Sequence, residues 1–369
     1  MRKFWRLVPS PFLFFLPGYV RSIYYLYIMK YIFFLLSLYF VAPNPSTIGE
    51  GEQPRISRDA KGTIRVVYGQ KEKIYCTTSS DNGLTFSAPT LVAEVPGMHL
   101  GMSRGPQMAS SARYTIVTAM DKSGNIHCFR LNNSTKEWEK MGTVNDVKGS
   151  APEGLMGIAA DKNDNFYAVW LDIRTDKKNQ IYFSALSGKA KEWSPNTMIY
   201  RSPDGHVCEC CKPSVYAEGK TVAVMFRNWL GGSRDLYLLR SSDKGQSFGK
   251  AQKLGEDTWQ LNGCPMDGGG VTIDPSGGIY TAWQRKGFVY YCRPGEKELN
   301  MGKGRTCSIT GGGEPVVSMQ NGDTLKLIKL HQQRTIVVGT GGFLQSMPLS
   351  DNTTLCVWEQ DKAIKFKKV

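Results

Sequence analysis

The densest chemistry in the 369-residue chain lies in His206 to Ser214, HVCECCKPS, where three of the nine cysteines, Cys208, Cys210 and Cys211, fall within four positions. Neighbouring side chains cannot all point into one apolar interior, so this crowding implies cross-linking, ligation or reactivity. A fourth sulfur, Cys264, stands in NGCPMDGGG. Three readings are open. One is a disulfide from Cys210 or Cys211 to Cys264, and another is a set of free, reactive thiols. The third is a soft ligand set for copper or zinc, in which His206 joins the four sulfurs and Met98, His99 and Met102 lie at hand. Cys76, Cys128, Cys292, Cys307 and Cys356 fall in apparent strands and read as core thiols or occasional disulfides, and His127 and His331 read as structural.

The elements that position these groups form a repeat. After residue 50 one phrase returns about every fifty residues: a Gly- or Pro-marked start, a small apolar strand, an Asp/Gly/Asn turn, a strand ending in aromatics, a polar loop and another strand. The starts are QPRIS at Gln53, SRGPQMA at Ser103, APEGLMGIA at Ala151, CECCKPSV at Cys208, NGCPMDGGGV at Asn262 and GGGEPVVS at Gly311. Alternation and β-branched or aromatic enrichment in TIRVVYG, YTIVTAM, FYAVWLD, TVAVMFRN and IYTAWQR mark strands, and helical periodicity is absent. Such a period, with about four strands per unit, predicts an all-β fold, a β-propeller of six blades spanning 50–369.

In a propeller the innermost strand of each blade starts near the axis, so the repeat starts form one ring. The loops between second and third strands share its face. The ring is expected to hold Arg55, Arg104, Glu153, Cys208 to Cys211, Cys264 with Asp267, and Glu314. The loops add Asp172 and Arg174, then Arg227, Asn228, Arg234 and Asp235, and finally Arg285. Guanidinium forks gathered on one rim suit a carboxylate or other oxyanion.

SSDNGLTF, with Ser79, Asp81, Gly83, Thr85 and Phe86, and SSDKGQSF, with Ser241, Asp243, Gly245, Ser247 and Phe248, repeat one turn pattern between third and fourth strands. These runs resemble the Asp-box, or BNR repeat, and through them residues 50 to 369 resemble the sialidase superfamily of propellers. The CECCKPS, FRN, SRDLYLLRSSDKGQSF and CPMDGGG runs resemble an exported bacterial subgroup of those propellers. The resemblance implies a site at the mouth of the central channel that holds an acidic sugar with arginines. Glu153 followed by Arg174 resembles the family's glutamate and second arginine, and Arg55 in PRIS resembles its Arg-Ile-Pro start. Arg227 or Arg285 would be the third arginine, with Arg104, Asn228, Arg234 and Asp267 as further contacts.

Glu153 and Asp172 are the candidate catalytic carboxylates, and Tyr290 or Tyr291 the candidate nucleophile. No aspartate of the first blade's loops fits the family's acid/base, so hydrolysis of a glycoconjugate and carbohydrate binding both stay open. A redox or metal-handling envelope protein built on the cysteines is the alternative from a different class. A non-catalytic interaction scaffold is a third.

Composition bounds these readings. Aromatic residues at 11%, charged residues at 21% and 39 glycines suit short strands joined by tight turns and argue against widespread disorder. The net charge of +14 is spread without a dense run and no nucleic-acid module is recognisable; it reads as a solvated surface or, more sharply, as attraction to anionic glycans or envelope surfaces. Residues 1–42 differ from the rest. PFLFFLPGYV and YIFFLLSLYFVA are apolar, and Met29-Lys30 opens the layout of a secretory signal, so translation starting at Met29 is expected. A cleaved signal or an uncleaved anchor would place the propeller outside the cytoplasm, in the periplasm, at the cell surface or secreted. The anchor would be its only membrane contact. In that compartment thiols tend to be oxidised unless a metal holds them.

Overall fold

The computed structural model describes residues 45–311 and 314–369; the expected signal or anchor segment lies outside the described residues. From Pro45 to Val369 the chain forms seven four-stranded antiparallel sheets, so the expectation of a propeller is met and that of six blades is corrected to seven. Blade 1 comprises Glu52–Arg58, Ile64–Gln70, Lys73–Ser79 and Thr90–Glu94. Blades 2 to 6 begin with the innermost strands Gln107–Ser110, Met156–Ala160, Ser214–Glu218, Gly270–Ile273 and Arg305–Thr310. Blade 7 takes Gly342–Pro348, Thr354–Gln360 and Ala363–Lys368 from the C-terminus and Ser46–Glu50 from the other end of the chain as its outermost strand. Each innermost strand touches the next, and blade 7 touches blade 1, which closes the ring.

The miscount has a local cause. GGGEPVVS carries the marks of a repeat start, but Val316–Asn321 is the second strand of blade 6; its innermost strand Arg305–Thr310 follows Gly304, and Gly342–Pro348 opens a seventh blade, both closer to the preceding start than the fifty-residue period of the earlier blades. Glu314 therefore stands between the first and second strands, on the face opposite the ring, where it accepts a hydrogen bond from the His331 amide.

Sequence alternation explains how the blades stack. In the second strand of blade 3, Phe166, Ala168 and Trp170 face blade 2 while Tyr167, Val169 and Leu171 face blade 4. A strand covered on both faces reads as a continuous apolar run, and here odd and even positions serve different cores. Seven apolar clusters result, one between each pair of neighbouring blades.

The two SSD runs form turns between third and fourth strands of blades 1 and 4. Asp81 accepts hydrogen bonds from the Ser79 hydroxyl and the Leu84 and Thr85 amides, and Gly83 takes a φ of 77° that disfavours a side chain. Phe86 packs edge-on to Phe366 of blade 7, and Phe248 does the same to Phe183 of blade 3. Each turn thus pins its blade to the preceding one.

Candidate functional site

Two groups of side chains occupy the face where the repeat starts converge. The first is the sulfur cluster between blades 4 and 5. The lead-in to blade 5 lies against that of blade 4 so closely that a Cβ on Gly268 would run into the Lys212 carbonyl. This approach brings Cys264 to Cys210, and the two form a disulfide with a Cα–Cα distance of 6.1 Å. Cys208 and Cys211 remain free and buried. Cys208 Sγ is 3.5 Å from Cys211 Sγ and 3.7 Å from Cys210 Sγ, and Met266 packs against the group.

The surroundings favour negative charge on one of these sulfurs. The Cys208 and Cys211 sulfurs share a hydrogen bond, Arg234 Nη1 donates to Cys208 Sγ at 3.0 Å, and the Arg227 guanidinium lies nearby. Together these outweigh burial and bring the Cys208 thiol down to about 6, while burial and the Cys208 charge push Cys211 up. Five further thiols, Cys76, Cys128, Cys292, Cys307 and Cys356, are free in the blades, and burial pushes each of them up.

Three sulfurs, those of Cys208, Cys210 and Cys211, lie within 4.8 Å of one another; His206 is outside that group. With Cys210 spent in the disulfide, two thiols remain, fewer than a closed tetrahedral zinc site takes. His206 instead stacks on Trp229, whose ring also carries the Arg234 guanidinium.

The second group lines the channel. A cavity of about 210 Å³ opens along the axis, walled by residues of all seven innermost strands and their lead-ins, among them Arg55, Gln107, Lys212, Asp267 and Gln345. Arg55 Nε donates to Gln107 Oε1 at 2.9 Å. Lys212 makes no salt bridge or side-chain hydrogen bond among the described residues. Burial, aided by the Arg55 charge, lowers its ammonium to about 7, and burial lowers Arg55 to about 10. Asp267, the one carboxylate on that wall, accepts from the Thr306 amide at 2.6 Å and the Gly269 amide at 3.4 Å, and burial pushes its carboxyl up. Sequence reading did not single out Lys212. Its signal was a cation two positions before Ser214, where an innermost strand begins.

The other sequence candidates are dispersed. Arg104 Nε donates to the Glu153 carbonyl at 2.7 Å, and Asn179 donates to Glu153 Oε1 at 3.3 Å. Asp172 is fully buried and accepts from Trp170 Nε1, the Ser150 hydroxyl and Arg174. Arg174 is further held by Asp146 and Asn196, and Arg285 by Glu298 and Asp257, so neither guanidinium is free for a ligand. Arg227 is buried and donates to the carbonyls of Asp267, Arg234 and Gln284. Asn228, also buried, donates to the Tyr200 hydroxyl. Tyr290 stacks on Trp283 and Tyr291 on Tyr280 in blade 5, and neither lines the channel cavity.

No family model and no curated protein matches this sequence. Solved structures do match. An ulvan lyase of polysaccharide lyase family PL25 superposes with a TM-score of 0.53 at 12% identity, over 88% of this chain and 94% of that one. A fungal lectin from Aleuria aurantia, described as a six-bladed β-propeller, gives 0.51 at 12% over 80% and 98%. The SapL1 lectin in complex with alpha methyl fucoside gives 0.51 at 13% over 80% and 97%. Likeness at such identities establishes the β-propeller fold.

Proposed function

We propose that the channel mouth binds the anionic group of an acidic sugar or glycoconjugate, with Arg55 and Lys212 as its cationic contacts. One observation carries this reading: two cationic side chains face a single cavity and neither is paired with a carboxylate among the described residues. Placing like charges together in a half-buried channel is costly unless an anion joins them. A carboxylate or sulfate between them would restore the charge on Lys212 and use the open face of the Arg55 fork. A propeller whose structure holds a GlcA(1-4)Rha3S unit, with its carboxylate and sulfate, makes acidic sugars the first anions to test.

Binding is better supported than hydrolysis. Asp172 has its oxygens committed to donors from three residues, and Arg174 and Arg285 are spent on ion pairs, which leaves Glu153 without the partners a sialidase-type centre needs. In this reading the protein works outside the cytoplasm, a setting that the cystine and the apolar N-terminal segment support.

Titration calorimetry with glucuronate, a sialoside and a sulfated oligosaccharide, each against its neutral counterpart, tests the proposal. Acidic ligands should bind and neutral ones should not, and Arg55→Met or Lys212→Met should each weaken binding by roughly tenfold or more. Affinity should fall as pH rises through about 7, where free Lys212 loses its charge. Equal binding of neutral sugars, or none of the acidic ones, would overturn it.

A further inference from the structure

The four sulfurs between blades 4 and 5 run from solvent to interior. Cys264 is exposed, its disulfide partner Cys210 is buried, and the free thiols Cys208 and Cys211 lie behind it. Cys208 Sγ stands 3.7 Å from the disulfide sulfur of Cys210, a separation that a small side-chain shift closes, and 3.5 Å from Cys211 Sγ. Arg234 Nη1 sits on Cys208 Sγ at 3.0 Å, a contact suited to a thiolate. Spacing adds to this, since Cys208 and Cys211 form a Cys-x-x-Cys pair. A purely structural cystine needs neither the second pair of sulfurs nor a guanidinium beside it.

We infer that these residues form an internal thiol–disulfide relay, in which the buried Cys208/Cys211 dithiol passes two electrons to the Cys210–Cys264 disulfide and delivers a nucleophilic thiolate to the surface at Cys264. In the first step the Cys208 thiolate attacks Cys210 Sγ; the Cys208–Cys210 bond forms, the Cys210–Cys264 bond breaks, and the electron pair leaves on Cys264. Cys211 then gives up its proton to solvent and attacks Cys208 Sγ, forming Cys208–Cys211 and releasing Cys210 as a thiolate. One disulfide has been lost and one gained, so no outside oxidant or reductant enters these steps. The Cys264 thiolate attacks the disulfide of an external substrate, and Cys210 resolves the mixed disulfide. This restores Cys210–Cys264 and releases the substrate as two thiols. A dithiol acting on the same surface pair drives the sequence backwards. The activity assigned to this face is disulfide exchange, and it is independent of anion binding in the channel.

The relay makes Cys264 alkylatable without reductant. Native protein purified free of reductant is exposed to iodoacetamide, and modified cysteines and disulfides are mapped by mass spectrometry after acid quench. The expected result is progressive labelling of Cys264, with each labelled molecule carrying a Cys208–Cys210 or Cys208–Cys211 disulfide. In Cys208→Ser the Cys210–Cys264 disulfide should persist and Cys264 labelling should drop by about tenfold or more. Absence of Cys264 labelling, or equal labelling in Cys208→Ser, would overturn the relay. The native protein also decides alone: labelled molecules with no disulfide to Cys208 would overturn it whatever the variant's folding.

Discussion

Arg227 and Arg285 close the second strands of adjacent blades at the same repeat position, and their surroundings are opposite. Arg285 is matched by carboxylates, with Nη1 2.9 Å from Glu298, Nη2 3.1 Å from Asp257 and the guanidinium stacked over Tyr290. Arg227 is as deeply buried, and lies over the Trp259 ring, but its hydrogen bonds go only to carbonyl oxygens, 2.7 Å from Arg234, 2.8 Å from Gln284 and 2.9 Å from Asp267. Blade 5 thus neutralises its buried cation inside the blade, and blade 4 leaves a positive charge beside the cysteines. The comparison teaches that an arginine in a repeated position is a brace when a carboxylate accompanies it. Where no carboxylate is paired with it, its field acts on the ionisable groups around it, here Cys208 and Asp267.

Breaking the paired member should have the largest effect. Arg285→Met strands Glu298, whose side chain is 9% exposed, and should cost about 3–5 kcal/mol in urea unfolding. Arg285→Met/Glu298→Gln should recover most of that loss, and failure to do so would deny that the pair is the brace. Arg227→Met should cost less, about 2 kcal/mol from lost hydrogen bonds to carbonyls. It should also move the Cys208 thiol up from about 6, read from the pH dependence of thiolate ultraviolet absorbance. An unmoved thiol would erase the contrast between the blades.

Lys212 extends the comparison to the channel with the smallest and opposite effect. Its ammonium titrates near 7 in the folded chain and in the ordinary lysine range near 10.5 when unfolded. Between those values the unfolded chain holds a proton the folded chain lacks, so stability contributed here rises with pH across that window. Lys212→Met should therefore raise the melting temperature by a few degrees below pH 7 and remove the slope above it.

The ring was legible where side chains repeat and illegible where the backbone alone repeats. Blades 1 to 5 announce themselves by Gly- or Pro-marked starts, and adjacency of the fourth and fifth starts was enough to bring Cys264 to Cys210 or Cys211. Blade 6 begins at Arg305–Thr310, off the fifty-residue spacing of the earlier starts, and blade 7 draws strands from both ends of the chain, which no linear period can display. At the site, residue type pointed to anion binding but not to which arginines were available. Arg174 sits two positions from Asp172, a spacing that sequence offers equally as a ligand rim or as a self-contained pair. Lys212 was hidden because its meaning depends on channel walls contributed by other blades.

Ser46–Glu50 zips onto Ala363–Lys368 as the last edge of the circle. The earliest propeller strand to leave the ribosome must therefore wait for the latest before it finds a neighbour. Until then both are bare edges able to pair with strangers, and the wheel cannot shut on a partial chain.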